Sequence, residues 1–176
     1  MKVKILTLAA VIATSGIGAD ASNFTKDNDK VILHAWSWSF NTIAENMKDK
    51  LSIIRTLDAG GDKIINLKGM PGIEEKNPLL GCRAIRFCLQ EREIFKTQLK
   101  ALYRAGIYSN LKILLPMITS PEQIDQTKKI ISKVKEELLK EGKSFKDDIP
   151  LGVMIETPPA AIISDYLADR CDFFSI

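Results

Sequence analysis

Apolar strand-like runs alternate with amphipathic helix-like segments from residue 51 onward, and this alternation constrains the fold more than any other feature. Each short run is rich in Leu, Ile, Val or Phe, and a longer segment with apolar residues at helical spacing separates most of them. Such alternation is typical of a parallel sheet with crossover helices, so the sequence predicts an α/β fold. The predicted strands are Leu51–Leu57, Leu111–Met117, Leu151–Ile155 and Asp172–Ile176, and the predicted helices are 84–105, 121–140 and 159–168.

Turn and cap residues mark the ends of several segments. Ser120, Pro121 and Gln123 together predict a helix start, with Ser120 as N-cap and Pro121 in the first helical position. Gly142 predicts the end of that helix, and residues 58–81 contain the Gly and Pro expected of a loop. The whole chain has 176 residues, whereas a complete eight-stranded α/β barrel needs about 250.

Three charged side chains stand where such a fold places its chemistry. Arg55 lies in a predicted strand near its carboxyl end, Arg83 lies in the loop before a helix, and Glu156 directly follows a strand. In an α/β barrel the groups at the carboxyl ends of strands meet at one rim, so these three would converge. Two guanidinium groups suit a phosphate, and a carboxylate beside them suits Mg²⁺.

Each of these residues also has a purely structural interpretation. Arg55 could be a surface ion-pair partner, and Glu156 could cap the helix that follows it. Asp62 and Lys63, after a Gly-Gly pair, could serve only a turn. Three further arginines fall on the predicted helix 84–105 and are expected to be solvated: Arg86, Arg92 and Arg104.

Composition excludes several other functions. The formal net charge is +3, and basic residues are interspersed with acidic ones, so binding to nucleic acid is not indicated. His34 is the single histidine, which excludes a His-rich metal cluster and favours a structural role. The three cysteines, Cys82, Cys88 and Cys171, form no C-x-x-C pair and are typical of a reducing compartment.

The first 21 residues point to a different compartment. A short basic start precedes an apolar run from Ile5 to Ala19, and Ala19-Asp-Ala21 fits a small-x-small cleavage site. Residues 1–21 are therefore predicted to be a secretory signal peptide, with a buried first strand or helix as the alternative. The conflict between export and a reducing compartment stays open at this point.

Residues 22–50 form a separate predicted unit. A polar stretch is followed by Val31-Ile-Leu-His-Ala-Trp-Ser-Trp-Ser-Phe-Asn-Thr-Ile, which predicts a strand running into a helix with Asn41 or Thr42 as N-cap. This segment resembles the first strand and helix of bacterial α-amylase barrels. The acid and nucleophile carboxylates of such hydrolases would lie on later strands, and none of those strands is recognisable in this sequence.

Residues 51–176 resemble the phosphoenolpyruvate-binding barrel of phosphoenolpyruvate-protein phosphotransferase, which is enzyme I of the sugar phosphotransferase system. Six segments carry the resemblance, from about residue 53 to the end. They are Arg-Thr-Leu-Asp-x-Gly-Gly-Asp-Lys, Asn-Pro-x-Leu-Gly-x-Arg-Ala-Ile-Arg, Gln-Leu-x-Ala-x-x-Arg-Ala, Leu-Pro-Met-Ile, Met-Ile-Glu-Thr-Pro and Asp-Phe-Phe-Ser-Ile. The fold implied is an α/β, incomplete TIM-type (β/α) barrel.

The resemblance also implies a reaction and roles in it. The phosphoryl group of phosphoenolpyruvate would pass to a protein histidine and leave pyruvate, with Arg55 and Arg83 binding the substrate phosphate and Glu156 binding Mg²⁺. The implied partners are phosphoenolpyruvate, a small phosphocarrier protein and a second subunit in a homodimer, and the implied location is the cytoplasm. The family's second metal carboxylate, its proton-donor Cys and its acceptor His have no counterpart in this sequence.

The sequence is therefore expected to be a composite of an amylase-like start and an internal part of a phosphotransferase, joined near residues 48–52. This chain is expected to be inactive alone and prone to self-association through an uncovered last strand. Two alternatives remain at this stage: part of a secreted α-amylase-type hydrolase, or a catalytically dead remnant.

Overall fold

A computed structural model describes residues 5–6, 40–47, 50–58 and 81–176 of the chain. The predictions for His34, Asp62, Lys63, most of residues 1–50 and the loop 59–80 lie outside the described residues. The strands are β1 (Ile5–Leu6), β2 (Leu51–Arg55), β3 (Asn110–Leu115), β4 (Leu151–Met154) and β5 (Phe173–Ser175). The helices are α1 (40–46), α2 (Ala84–Gln90), α3 (Arg92–Ala105), α4 (Pro121–Lys140), α5 (Pro158–Ile162) and α6 (Ser164–Ala168), with a 3₁₀ turn at Gly106–Tyr108.

The five strands form one sheet in the order β1-β2-β3-β4-β5, and every neighbouring pair is parallel. Doubly wound α/β sheets reverse their strand order at a switch point, whereas barrel-type sheets keep the order of the sequence. The prediction of an α/β fold is confirmed, and the strand order is that of part of a TIM-type barrel.

The two faces of the sheet have different partners. One face contributes to a buried apolar cluster with α3 and α4, including Ile54, Ile113, Val153, Leu99 and Val134. On the other face, the strand registers align four residues in one row across β2, β3, β4 and β5: Arg55, Leu114, Gly152 and Phe173. The charged end of β2 therefore lies on the face turned away from the helical core.

Gly152 is required in that row by a close approach. A Cβ atom added to Gly152 would overlap the ring of Phe173 on β5. Lys112 Nζ lies 5.1 Å from the centre of the same ring, within cation–π range. The Phe173 ring thus covers the middle of β4 and leaves no room for a side chain at position 152.

Two predicted helices are each broken into two. The segment 84–105 is interrupted at Glu91, whose backbone leaves helical geometry with φ −93° and ψ 65°. Arg92 Nε donates to the Leu89 carbonyl at 3.2 Å, which satisfies an acceptor near the break. The segment predicted as 159–168 begins one residue earlier, at Pro158, and is interrupted at Ile163.

Other boundaries differ in smaller ways. The predicted strands end one or two residues too late; for example, β3 ends at Leu115 and not at Met117. Asn41 and Thr42 lie inside α1, which already includes residue 40, so neither is its N-cap as predicted. The start of α4 is confirmed: Ser120 and Gln123 form a capping box with Pro121 in the first turn, and Gly142 takes φ +63° just past the helix end.

Ile5–Leu6 lies within the predicted signal peptide. These two residues pair in parallel with Ile53 and Ile54 of β2, which is the alternative weighed for this segment. Use of residues 1–21 as a signal peptide stays a prediction. Within the described ranges, no helix is long and apolar enough to cross a membrane.

Candidate functional site

Arg55 places the first positive charge of the site at the carboxyl end of β2. Its side chain crosses the face of the sheet past β3, and Nη1 lies 3.5 Å from the Met154 sulfur on β4. The chain leaves the sheet directly afterwards, since Thr56 N–H still donates to the Leu114 carbonyl at 3.0 Å and no later residue of this strand pairs with β3. Arg55 therefore extends over the carboxyl rim of three adjacent strands.

Arg83 reaches the same place from the start of α2, and Asp58 joins the two arginines. Asp58 Oδ2 lies 3.2 Å from Arg55 Nη2, and Asp58 Oδ1 lies 3.0 Å from Arg83 Nη2. One carboxylate thus holds two guanidinium groups on either side of it. The structure brings together the two arginines predicted to bind phosphate, although they are 28 positions apart in the sequence.

This cluster carries more positive than negative charge and is largely shielded from water. The exposed fraction of each side chain is 16% for Arg55, 16% for Arg83 and 13% for Asp58. The Nε atoms of both arginines are buried and have no hydrogen-bond partner among the described residues. Two cations therefore share one anion, and each cation has one buried N–H donor without a partner among the described residues. A further anion would satisfy these donors and balance the charge.

Glu156 lies at the same carboxyl edge, two residues beyond the end of β4. It is exposed, and its Oε1 accepts a hydrogen bond from the Met117 N–H at 2.7 Å. Thr157 makes a second link between the same two loops, donating to the Ile118 carbonyl at 2.6 Å. Thr157 and not Glu156 caps α5, because Thr157 Oγ1 accepts the Ala160 N–H at 3.2 Å.

Two residues beside these charged groups have left-handed backbone conformations that are unfavourable for side chains other than glycine. Ala84, directly after Arg83, has φ 50°, and Met117, which bonds to Glu156, has φ 57°. Such conformations cost of order 1 kcal/mol or more and concentrate at functional sites. Their positions next to Arg83 and Glu156 support a functional role for this rim.

The fit of a metal ion depends on Glu156. Among the described residues, no group of three or more His, Cys, Asp or Glu side chains is arranged to hold a metal ion. Mg²⁺ often takes only one or two protein carboxylates and completes its shell with substrate oxygens and water. One oxygen of Glu156 accepts the Met117 N–H, and the other has no partner among the described residues, so it is available as such a ligand.

Comparison with known proteins gives the family. A family model described as "PEP-utilising enzyme, PEP-binding domain" matches residues 20–176. The chain belongs to this family. PEP-utilising enzymes similar to it include proteins named phosphoenolpyruvate-protein phosphotransferase from Bacillus subtilis (48% identical), Priestia megaterium (46%) and Staphylococcus aureus strain MSSA476 (44%).

Each of these alignments covers 138 residues, which is 78% of this chain and 24% of the relative. The chain thus spans about a quarter of the length of these phosphotransferases. The family resemblance predicted from the sequence is confirmed, and the comparisons favour the phosphotransferase interpretation over the hydrolase alternative. The match to the PEP-binding domain begins at residue 20 and includes the segment 22–50. The resemblance of that segment to amylases stays a prediction.

Sequence reasoning missed Asp58 in this PEP-binding domain. The sequence pattern indicates only that Asp58 begins a loop, although Asp58 stands three positions after Arg55. An Arg and an Asp at this spacing beyond a strand are within reach of each other, and that spacing was the available signal. No sequence signal predicted that Arg83 would join the same carboxylate.

Proposed function

We propose that this PEP-binding domain binds phosphoenolpyruvate at the Arg55–Asp58–Arg83 cluster and serves a phosphoenolpyruvate-protein phosphotransferase. The observation that carries the proposal is the pairing of two largely buried guanidinium groups around one carboxylate, each with an unpartnered Nε among the described residues. The excess positive charge suits the phosphate of phosphoenolpyruvate. The printed names of the relatives support the choice of substrate.

In the proposed reaction, the phosphoryl group leaves the enol oxygen of phosphoenolpyruvate and bonds to a histidine nitrogen of a protein, and a proton added to the remaining enolate gives pyruvate. Arg55 and Arg83 hold the phosphate and neutralise the charge that develops on its oxygens. Asp58 keeps the two guanidinium groups in place. No residue of this chain is assigned as the phosphate acceptor or the proton donor.

Mg²⁺ is the proposed cofactor, with Glu156 as its protein ligand together with substrate oxygens. When bound, the ion would neutralise phosphate charge and orient the substrate. Glu156 is suited to this role because it is exposed at the carboxyl rim and Met117 N–H fixes one of its oxygens. The proposed partners are a phosphocarrier protein and a second subunit, and the proposed location is the cytoplasm.

Calorimetric titration of the chain with phosphoenolpyruvate, with and without MgCl₂, tests this function. Arg55→Ala and Arg83→Ala should each weaken binding about 10- to 100-fold, because a hydrogen bond to a charged group contributes about 1.5–3 kcal/mol. Arg83→Lys should lie between these and the unsubstituted chain, since it keeps the charge and loses the two-pronged donor geometry. Glu156→Gln should remove any gain from Mg²⁺.

Arg170→Ala is the matched control. Arg170 also pairs with one aspartate, Asp125, at 3.5 Å, but it follows α6 and is not part of the Arg55–Asp58–Arg83 cluster. This variant should bind phosphoenolpyruvate as the unsubstituted chain does. Absence of binding by the unsubstituted chain, or equal weakening by Arg170→Ala, would refute the proposal.

A further inference from the structure

The two peptide groups that flank Leu57 each contact a buried side chain from one of the two helices that follow it. Gln98 Oε1 on α3 accepts the Leu57 N–H at 3.1 Å. On the other side, Cys88 Sγ on α2 lies 3.9 Å from the Leu57 carbonyl oxygen. Burial raises the pKa of the Cys88 thiol to about 12, so the thiol keeps its proton at neutral pH and can donate weakly to that oxygen.

Leu57 lies between the end of β2 and Asp58, where the chain leaves the sheet and enters the site. Thr56 N–H still pairs with β3, and Asp58 carries the carboxylate that holds both arginines. The orientation of the Thr56–Leu57 peptide, which carries the Leu57 N–H, therefore sets the direction in which the chain continues to Asp58. Gln98 is the only side chain among the described residues that bonds to the Leu57 N–H, so it fixes this orientation from within the helical layer.

Gln98 has features that packing alone does not explain. Its side chain is fully buried next to the core residues Leu99 and Leu102, and its Nε2 has no hydrogen-bond partner among the described residues. A buried unsatisfied donor costs about 1–3 kcal/mol, and a leucine or methionine of similar size would avoid that cost. What an apolar side chain could not supply is the acceptor for Leu57.

We propose that Gln98 is a positioning residue for the phosphate site, which fixes the Thr56–Leu57 peptide and thereby the Asp58 carboxylate and the spacing of Arg55 and Arg83. The effect on phosphoenolpyruvate rests on the function proposed above. The positioning itself does not, because it concerns the arginine pair in the absence of ligand.

The experiment compares Gln98→Leu and Gln98→Glu in the full chain with Thr127→Val as control. Gln98→Leu removes the acceptor, whereas Gln98→Glu keeps an oxygen in the same position, and burial favours its neutral form. Thr127 is also fully buried and polar, but it bonds to the Gln123 carbonyl within α4, away from the site. The arginine Nε–H signals and the Leu57 amide signal are followed by nuclear magnetic resonance, and melting temperatures are recorded in parallel.

In Gln98→Leu, the Leu57 amide should exchange with solvent at least about 10-fold faster, the Arg55 and Arg83 Nε–H signals should shift, and phosphoenolpyruvate should bind about 10-fold more weakly. Gln98→Glu should keep amide exchange, arginine signals and ligand binding close to those of the unsubstituted chain. Thr127→Val should change none of these three, even if its melting temperature falls as much as that of Gln98→Leu. Unchanged arginine and Leu57 signals in Gln98→Leu would overturn the inference whether or not ligand binds. Failure of the unsubstituted chain to bind phosphoenolpyruvate would instead overturn the proposed function, and the arginine signals would still decide the role of Gln98.

Discussion

The ion pairs at the carboxyl rim and those between helices α3 and α4 are of similar length but differ in charge balance and in exposure. Between the helices, Lys96 lies 3.2 Å and Lys100 2.8 Å from the Glu137 carboxylate. Lys96 also pairs with Glu93, and Lys100 with Glu141. This outer cluster has two cations and three anions, whereas the rim cluster has two cations and one anion.

Exposure separates the two clusters further. The carboxylates of the outer cluster are open to water, with exposed side-chain fractions of 37% for Glu137, 47% for Glu141 and 80% for Glu93. The Asp58 carboxylate at the rim is only 13% exposed. Water and salt screen exposed pairs, so the outer cluster contributes little to stability. Among the described residues, the rim cluster holds unbalanced charge in a shielded place, which fits the binding site proposed above better than a stabilising surface network.

The largest expected difference between the clusters is in the response to removing one carboxylate charge. Asp58→Asn leaves two shielded cations facing each other and should lower the free energy of unfolding by about 3 kcal/mol. Glu137→Gln, in the outer cluster, should lower it by less than about 1 kcal/mol. Urea unfolding of both variants measures this, and equal losses would remove the distinction drawn between the two regions.

A second, smaller difference should appear on adding salt. At about 1 M NaCl the screening length falls to about 3 Å, so the stability lost in Glu137→Gln should shrink almost to zero. The loss in Asp58→Asn should keep more than half of its low-salt size, because shielded charges are screened less. The same urea experiments at two salt concentrations provide the measurement; parallel decreases in both variants would contradict it.

The smallest effect is a pH dependence of the outer cluster. A hydrogen bond from Lys100 lowers the pKa of Glu137 from its usual 4.5, burial opposes the shift, and a hydrogen bond from Lys96 adds to it. The folded-state pKa is the lower one, so the stabilisation is present above pH 4.5 and is lost as pH falls through the lowered value.

At the alkaline end the sign is reversed. Hydrogen bonds to Glu93 and then Glu137 raise the pKa of Lys96 above 10.5, so its contribution is present below pH 10.5 and is lost as pH rises through the raised value. Melting curves of the unsubstituted chain and Glu137→Gln should therefore differ at neutral pH and converge at both extremes. Glu136→Gln, an exposed change on the same helix, is the control and should show no such convergence.

Local patterns predicted much of the fold because each depends on neighbours in sequence. The predicted start of α4 is correct because Ser120 and Gln123 satisfy N–H groups at the helix start and Pro121 has no N–H to satisfy. The break at Glu91 was missed because no Gly or Pro marks it, although the helices on both sides of it bury apolar residues. In the same way, the sequence was enough to select Arg55 and Arg83 as candidate site residues. The roles of Asp58, which lies between them, and of the buried Gln98 depend on tertiary contacts that the sequence pattern does not show.

The hydrogen bond between Met117 and Glu156 also has a consequence for the order of folding. It joins residues 39 positions apart, and the contact of Arg55 with Met154 joins residues 99 positions apart. Closing such long segments requires β2, β3, β4 and the helices between them to have come together first, because loop-closure entropy opposes each contact until then. We therefore expect the rim to assemble late, after the helical layer has collapsed, so that a refolding chain brings Arg55, Asp58 and Arg83 together only in the last steps.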